Sequence, residues 1–374
     1  MSLRFLTPPS VPPAEAVPEL ARASPGEPPQ LLVVHAASAR AWLAVLGRLT
    51  AMGLPLRTSA RDPAAPLVAA WIAGPLENPE PLALSADLIL LGGGWDLLKE
   101  VLLGANRSRG LPRTARLERL ARLPGVYVPA LHEVRRSEEG TILRVVPGPG
   151  ATPLRGLGGG APFESGPEPF LPAHPRPEIQ RLLGEERTPE SLAGSVVAGE
   201  QVLLHFFVGL PGESGGRIVE WVKRFRHACV NRLKDERRLP RISVSLACYV
   251  PRPWTALQWW PMPEERALKA ELARVTRGLR GIQGVTVTHD LPKWALLEGC
   301  LARGDRQTGW LFLLVHRLGW EQAILWSPLN PAYILHRPRP ADEPLPWDHV
   351  DWGIDRAGLR AQYESLLSAL GERA

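Results

Sequence analysis

Cysteine is scarce in this sequence, which contains only Cys229, Cys248 and Cys300 in 374 residues. The three positions are 19 and 52 residues apart, so no short loop carries several thiolates that could hold a metal or a cluster. So few cysteines also exclude a disulfide scaffold and favour a reducing compartment, and we expect a cytoplasmic protein. We interpret the three side chains as small apolar residues of the core.

Long apolar runs are missing as well, and lysine is scarce. No stretch of 18 apolar residues occurs, and the first 20 residues lack an apolar core of signal-peptide length, so we expect no membrane insertion. Only five of the 44 basic residues are lysine, a bias that we attribute first to a GC-rich genome. The net charge of +6 and the isoelectric point near 9.6 permit an acidic partner such as nucleic acid without requiring one.

Glycine and proline are abundant, with 35 and 40 residues, and their distribution divides the chain. Residues 1–30 are interrupted by prolines and predict a disordered arm, whereas 147–188 read as a Gly/Pro-rich linker with little that could pack. The segments 31–146 and 189–374 have enough apolar residues to bury a core each. The sequence therefore predicts an arm, a first domain, a linker and a second domain.

The first domain has the pattern of a parallel α/β sheet. Continuous apolar segments at 31–35, 66–74 and 86–94 predict strands buried on both faces, and helical patterns separate them. A β-hairpin is expected where EVRR (133–136) and TILRVV (141–146) flank a short turn. These features favour a Rossmann- or flavodoxin-like domain.

The second domain repeats the alternation of apolar strands and helices. Strands are expected at 202–209, 242–250 and 284–289. The expected helices cover 217–238, 264–280, roughly 292–319 as a pair, and 355–371.

Four motifs follow one another in the second domain. They are HFFVGLPGES (205–214), ISVSLACYVPRPWTALQWW (242–260), LEGCLARGDRQTG (297–309) and LPWDHVDWGI (345–354). Their order and content resemble a family of uncharacterised radical S-adenosylmethionine (SAM) proteins with an N-terminal cobalamin-binding-like domain. The stretches 74–94 and 127–134 resemble that N-terminal domain more weakly.

The resemblance implies that part of the family's catalytic domain is missing. In the family, the exit strand is followed by three cysteines that hold a [4Fe–4S] cluster and by the first barrel strands, whereas residues 147–188 stand in their place here. What remains would be a partial radical-SAM-type (β/α) half-barrel with C-terminal helices. No Asp-x-His-x-x-Gly loop is present to ligate cobalt. We therefore expect no iron–sulfur cluster and no bound cobalamin, and we assign no catalytic residue and no metal ligand.

Three functional hypotheses remain open. The first is a catalytically degenerate relative that acts as a structural or regulatory subunit, because half a barrel exposes the apolar strand at 202–209, which another chain could cover. The second is an RNA- or ribosome-associated protein that uses the basic segment 217–241. The third is an active radical enzyme with an unrecognised cluster site. We favour the first, with a partner subunit or self-association.

Two sets of candidate site residues follow from these hypotheses. A cofactor would meet the turn Gly92, Gly93 and Gly94 or, by the resemblance, Gly209 and Glu213 near the adenine of SAM. The simpler interpretations are a tight turn for the glycines and a helix cap for Glu213. A nucleic-acid or partner surface would consist of basic residues and tryptophans: Arg224, Arg226, Arg232, Arg237, Arg238, Trp254 and Trp259. The simpler interpretation is a solvated helix face beside a tryptophan-rich core.

Two charged clusters in the motifs have local explanations. We interpret Asp348, His349 and Asp351 as residues that make turn and cap hydrogen bonds. The segment 303–306 is expected to end a helix with a tight turn and ion pairs.

Overall fold

The structure is a computed structural model that describes residues 30–36, 38–137, 142–148, 151–158, 188–234 and 239–371, together with the backbone of residues 3–5. Most of the predicted arm and linker lies outside the described residues. Arg237 and Arg238 lie outside them too.

The first domain contains a five-stranded sheet in the order β1–β2–β3–β4–β5. Strands β1 to β4 are parallel and β5 is antiparallel to β4, so the predicted parallel α/β sheet is confirmed. The short strands β1 and β5 were not predicted, and β1 lies within the segment assigned to the arm. The strands are β1 (Leu3–Phe5), β2 (Leu31–His35), β3 (Leu67–Ile72), β4 (Leu88–Leu91) and β5 (Val126–Tyr127).

Both faces of this sheet are covered, which explains why its central strands are continuously apolar. One face packs against α2 (Gly94–Arg107) and α3 (Arg113–Leu120). The other face packs against α1 (Ala39–Ala51), and this core continues into the second domain. The two segments predicted as domains therefore share this core, and the names first and second domain are kept for the predicted segments 31–146 and 189–374.

The second domain contains a parallel three-stranded sheet in the order β11–β10–β9, in agreement with the expected partial barrel. Its strands are β9 (Gln201–Val208), β10 (Arg241–Cys248) and β11 (Val285–His289). Alternate residues of β9 and β10 are buried on one face of the sheet, whereas the others are half-buried or exposed. The helices that belong to this sheet are α4 (Pro189–Ser195), α5 (Gly215–Leu233) and α6 (Glu265–Leu279).

The remaining helices follow β11 along the chain. They are α7 (Pro292–Arg303), α8 (Thr308–Leu318), α9 (Trp320–Trp326), α10 (Pro331–Leu335) and α11 (Arg356–Leu370). In a third cluster of buried residues, Tyr363 of α11 packs with Trp259 and Trp347.

Two further pairs of strands are short, one local and one between distant parts of the chain. The predicted hairpin is confirmed, since β6 (His132–Arg136) is antiparallel to β7 (Ile142–Pro147). The start of the predicted linker is ordered, because β8 (Leu154–Arg155) pairs in parallel with β12 (Val350–Asp351).

Glu298 in α7 links the second domain to the first. Its Oε2 accepts a hydrogen bond of 2.7 Å from the backbone N–H of Ala39, at the start of α1. Its Oε1 accepts one of 2.9 Å from Nη1 of Arg252. The carboxylate thus satisfies a free N–H at a helix N-terminus, where negative charge is favoured.

Replacement of Glu298 by Ala should lower the free energy of unfolding by about 1–3 kcal/mol, since the N–H of Ala39 and the guanidinium of Arg252 both lose their acceptor. Urea denaturation would measure the change. Glu364→Ala, which removes an exposed ion pair with Arg360 in α11, serves as the control and should leave the midpoint nearly unchanged. Equal effects of the two changes would contradict the assigned role of Glu298.

Candidate functional site

Another segment of the chain packs directly against the glycine turn that follows β4. Gly92, Gly93 and Gly94 all have positive φ angles, of 71°, 72° and 55°. Leu157 lies directly against them: its carbonyl oxygen accepts a hydrogen bond of 3.2 Å from Gly93 N, and a Cβ on Gly92 would come within 2.1 Å of that oxygen. Close backbone approach therefore explains the glycines. With Leu157 in place, this edge of the sheet does not fit a nucleotide or corrin tail.

The third motif supplies Arg306, which reaches into the first domain. Its Nη2 donates to the hydroxyl of Tyr127 at 2.6 Å, and its Nε donates to Oε2 of Glu80 at 3.2 Å. Its Nη1 donates to the carbonyl oxygens of Pro129 at 3.1 Å and His132 at 3.0 Å. The predicted ion pairs at this helix end are present, and their partners come from across the domain boundary.

Glu80 is the centre of this network and is fully buried. The hydroxyl of Tyr127 donates a very short hydrogen bond to it, and Nε2 of His349 lies 3.4 Å from Oε1. Burial alone would raise the pKa of Glu80, but attraction to His349 and Arg306 outweighs it and holds the pKa below its usual range. Burial lowers the pKa of His349, and the charge of Glu80 opposes that fall.

Arg303 connects the second, third and fourth motifs. Its side chain is completely buried, and Nη1 donates to the carbonyl oxygens of Gln258 at 3.2 Å and Trp260 at 2.7 Å. Oε1 of Gln258 in turn accepts from the backbone N–H of Trp254 at 3.1 Å and from Nε1 of Trp347 at 3.0 Å. These motif residues satisfy buried polar groups, a structural role.

The predicted turn bonds of the fourth motif are also present. Asp348 accepts a hydrogen bond of 2.8 Å from the backbone N–H of Leu345 and pairs with Arg356, while Asp351 accepts one of 2.8 Å from Gly353 N. His349 differs from the prediction, because it faces Glu80 of the first domain.

Gly209 and Glu213 line a cavity of about 420 Å³. Its walls are mostly apolar and include Trp260, Met262 and Pro263. Gly209 has a φ of 96°, a conformation that favours glycine. The structure thus places both candidates in one pocket, with room for a small ligand.

Glu213 does not cap the following helix, so that interpretation was wrong. Ser214 occupies the capping position of α5, and both carboxylate oxygens of Glu213 are buried without a hydrogen-bond partner among the described residues. Burial raises the pKa of Glu213 to about 8; the nearby backbone amides of Gly209 and Leu210 oppose the rise without reaching hydrogen-bond geometry, whereas Glu271 adds to it. Glu213 therefore lines the cavity with a buried carboxyl whose pKa favours the protonated form near neutral pH.

The predicted basic and aromatic surface is only partly exposed. Arg224 is exposed and pairs with Glu190 at 2.8 Å, and Arg232 is exposed near the end of α5. Arg226 is half-buried and donates to a backbone carbonyl at 3.1 Å. Trp259 is completely buried, so its placement on this surface was wrong. Trp254 is partly buried against the same C-terminal cluster.

The three cysteines lie in different elements and are all buried. Burial raises the pKa of both Cys248 and Cys300 to about 12, and it also raises that of Cys229, so the thiolate form that binds iron is disfavoured. Among the described residues, no three His, Cys, Asp or Glu side chains converge as a metal site would require. These cysteines do not fit a [4Fe–4S] cluster.

Residues 33–129 match the family model described as radical SAM proteins, N-terminal. The match covers the sheet from β2 to β5 with its helices, about a quarter of the chain, and it confirms the predicted relationship to radical SAM proteins. No curated protein and no solved structure matches the chain. Cobalamin-binding ancestry and the loss of barrel strands stay predictions. Within the described residues, none of the helices is both apolar and long enough to cross a membrane.

Replacement of Arg306 by Met should destabilise the protein by about 3–5 kcal/mol, because it leaves the buried carboxylate of Glu80 without its cation. Thermal denaturation of the two proteins at pH 7 would measure the loss. Arg360→Met, at an exposed ion pair in α11, should have little effect. A melting temperature for the Arg306 variant close to that of the unmodified chain would show that the network does not hold the two domains together.

Replacement of Glu213 by Gln should change how stability depends on pH. Because the folded pKa of about 8 exceeds the unfolded value near 4.3, the folded state holds this proton more tightly, and the carboxyl increasingly disfavours the folded state as pH rises from about 4 to about 8. The Gln variant should therefore gain stability relative to the unmodified chain between about pH 5 and pH 8. Melting temperatures across that range test this, and Glu264→Gln, at an exposed carboxylate of the same cavity, is the control.

Proposed function

We propose that this radical-SAM-related protein acts as a structural or regulatory subunit of a larger assembly and does not catalyse the reductive cleavage of SAM. The open edge of β9 carries the proposal. Two further features support it: the family-like motifs serve as buried structural contacts, and the cysteines do not fit a cluster.

Strand β9 is an end strand whose outer edge has no strand partner among the described residues. The sequence QVLLHFFV is unusually apolar for such an edge, and the side chain of Leu203 is 39% exposed. An exposed apolar edge strand pairs readily with another chain unless charges, prolines or a covering segment prevent it. Addition of a strand from a second protein would satisfy this edge.

The backbone of β9 shows which groups a partner would meet. The carbonyl oxygen of Glu200, just before β9, accepts a hydrogen bond from Arg241 of β10, and that of Val208 accepts one from Tyr249, just after β10, at 2.8 Å each. Because backbone direction alternates along a strand, the even-numbered residues face β10, and Leu203, His205 and Phe207 direct their N–H and C=O groups outward. These are the groups that strand addition would use.

Replacement of Leu203 by Pro should block strand addition without removing a hydrogen bond between β9 and β10, since its N–H points outward. Light scattering on chromatographed protein from its own cells would be the measurement. We expect the unmodified chain in one species larger than a monomer, either a homo-oligomer or a complex of fixed ratio, and the Pro variant as a monomer. Leu203→Ala, which keeps the amide, should remain associated. A monomeric unmodified chain would contradict the proposal.

The RNA-binding alternative has weaker support. Lys223 and Arg232 are exposed on α5 and could contact phosphates. Base stacking needs accessible aromatic faces, however, and Trp259 is buried. This alternative predicts that RNA binding falls steeply with salt and with Arg232→Glu, whereas the subunit proposal predicts neither.

A further inference from the structure

A separate cleft of about 230 Å³ lies between the end of α7 and the segment that follows α10. Among the described residues, it is lined by more cations than anions. The charged residues are Arg136, Arg303, Arg337 and Arg339 with Asp305 and Glu343, an excess of two positive charges.

Both carboxylates of the cleft are already paired. Asp305 binds Arg136 at 2.6 Å, and Glu343 accepts two hydrogen bonds of 2.6 Å from the two terminal nitrogens of Arg337. Arg303 directs its N–H groups to backbone carbonyl oxygens. Neither carboxylate of the cleft makes an ion pair with Arg339, although Glu343 and Asp305 attract it from a distance.

Arg339 has N–H groups without acceptors even though it is 92% buried. Its Nη2 donates to the carbonyl oxygen of Arg303 at 2.8 Å, while Nε and Nη1 are buried and have no hydrogen-bond partner among the described residues. Nε of Arg337 is also buried without a hydrogen-bond partner among the described residues. Burial lowers the pKa of Arg339 to about 10, Glu343 opposes the fall, and the charge of Arg337 adds to it. Unpaired buried donors and unneutralised charge are both unfavourable.

We propose that this cleft binds a small oxyanion, a phosphate or carboxylate group, through Arg339 and Arg337. The planar fork of a guanidinium matches two oxygens of such a group and gives strong, charge-assisted hydrogen bonds. An oxyanion would offset the excess positive charge, and a shift of the Arg339 guanidinium away from the ring of Trp347, over which it lies, would bring Nε and Nη1 to the acceptors that they lack. The cleft is smaller than usual for a drug-sized ligand, so it suits a small molecule or one charged group of a larger molecule. This site does not depend on the subunit role.

Calorimetric titration of the full chain with inorganic phosphate at low ionic strength tests the proposal, with acetate as the carboxylate probe and chloride as the non-specific anion. Phosphate or acetate should bind far more tightly than chloride, and the tighter of the two identifies the group. Arg339→Gln should weaken binding at least about tenfold, because two charge-assisted donors are lost.

Two glutamate variants keep the test decisive if Arg339→Gln fails to fold. Glu343→Gln removes the competing carboxylate and frees the fork of Arg337, so it should bind the anion several times more tightly. Glu364→Gln makes the same change of net charge at an exposed pair on α11 and should bind as the unmodified chain does. Absence of binding to both the unmodified chain and Glu343→Gln, or equal affinities of the two glutamate variants, would overturn the proposal.

Discussion

The burial of Glu80 is the constraint on which the arrangement of the two domains depends. A carboxylate removed from water must be paired, and its partners Arg306 and His349 come from the second domain. The first domain supplies Tyr127 and the carbonyl oxygens that complete the coordination of Arg306. Separation of the two predicted domains would expose their shared hydrophobic core and would also break this network. We therefore expect each of them to depend on the other for stability.

The family-like motifs are therefore explained by architecture. Glu298 binds the start of α1, Arg303 binds four backbone carbonyl oxygens of neighbouring segments, and Arg306 binds Glu80. The glycine turn of the first sheet is filled by Leu157. A change at any of these residues costs stability, so their presence alone does not indicate chemistry. The two proposals rest instead on the edge of β9 and on the cleft beside Arg339.

The sequence predicts the elements better than it predicts the contacts between them. Strands β2, β3 and β4 are recognisable because burial on both faces makes them continuously apolar. The helix end at Arg303 was predicted with its ion pairs, but Glu80 lies 226 residues from Arg306, and no local pattern indicates such a pairing. The close approach of Leu157 to Gly92 was missed because a Gly/Pro-rich segment gives no apolar periodicity.

Aromatic and arginine residues were the hardest to place from sequence. Tryptophan is both large and polar at one end, so Trp259 was assigned to a surface although it is part of the core. Arg339 was not singled out, because a buried arginine in a proline-rich segment looks like any exposed one until its neighbours are known. Glu213 was singled out as a candidate site residue, but the cavity that it lines also needs the distant Trp260 and Met262, which no local pattern connects to it.

The central claim is that the radical SAM relationship persists here as structure and not as chemistry. Anaerobic reconstitution of the full chain with iron and sulfide, followed by addition of SAM and a reductant, tests it most directly. We predict no stoichiometric absorbance near 400 nm and no consumption of SAM. A stable brown protein that cleaves SAM would contradict the account and would require a cluster held by ligands outside the described residues.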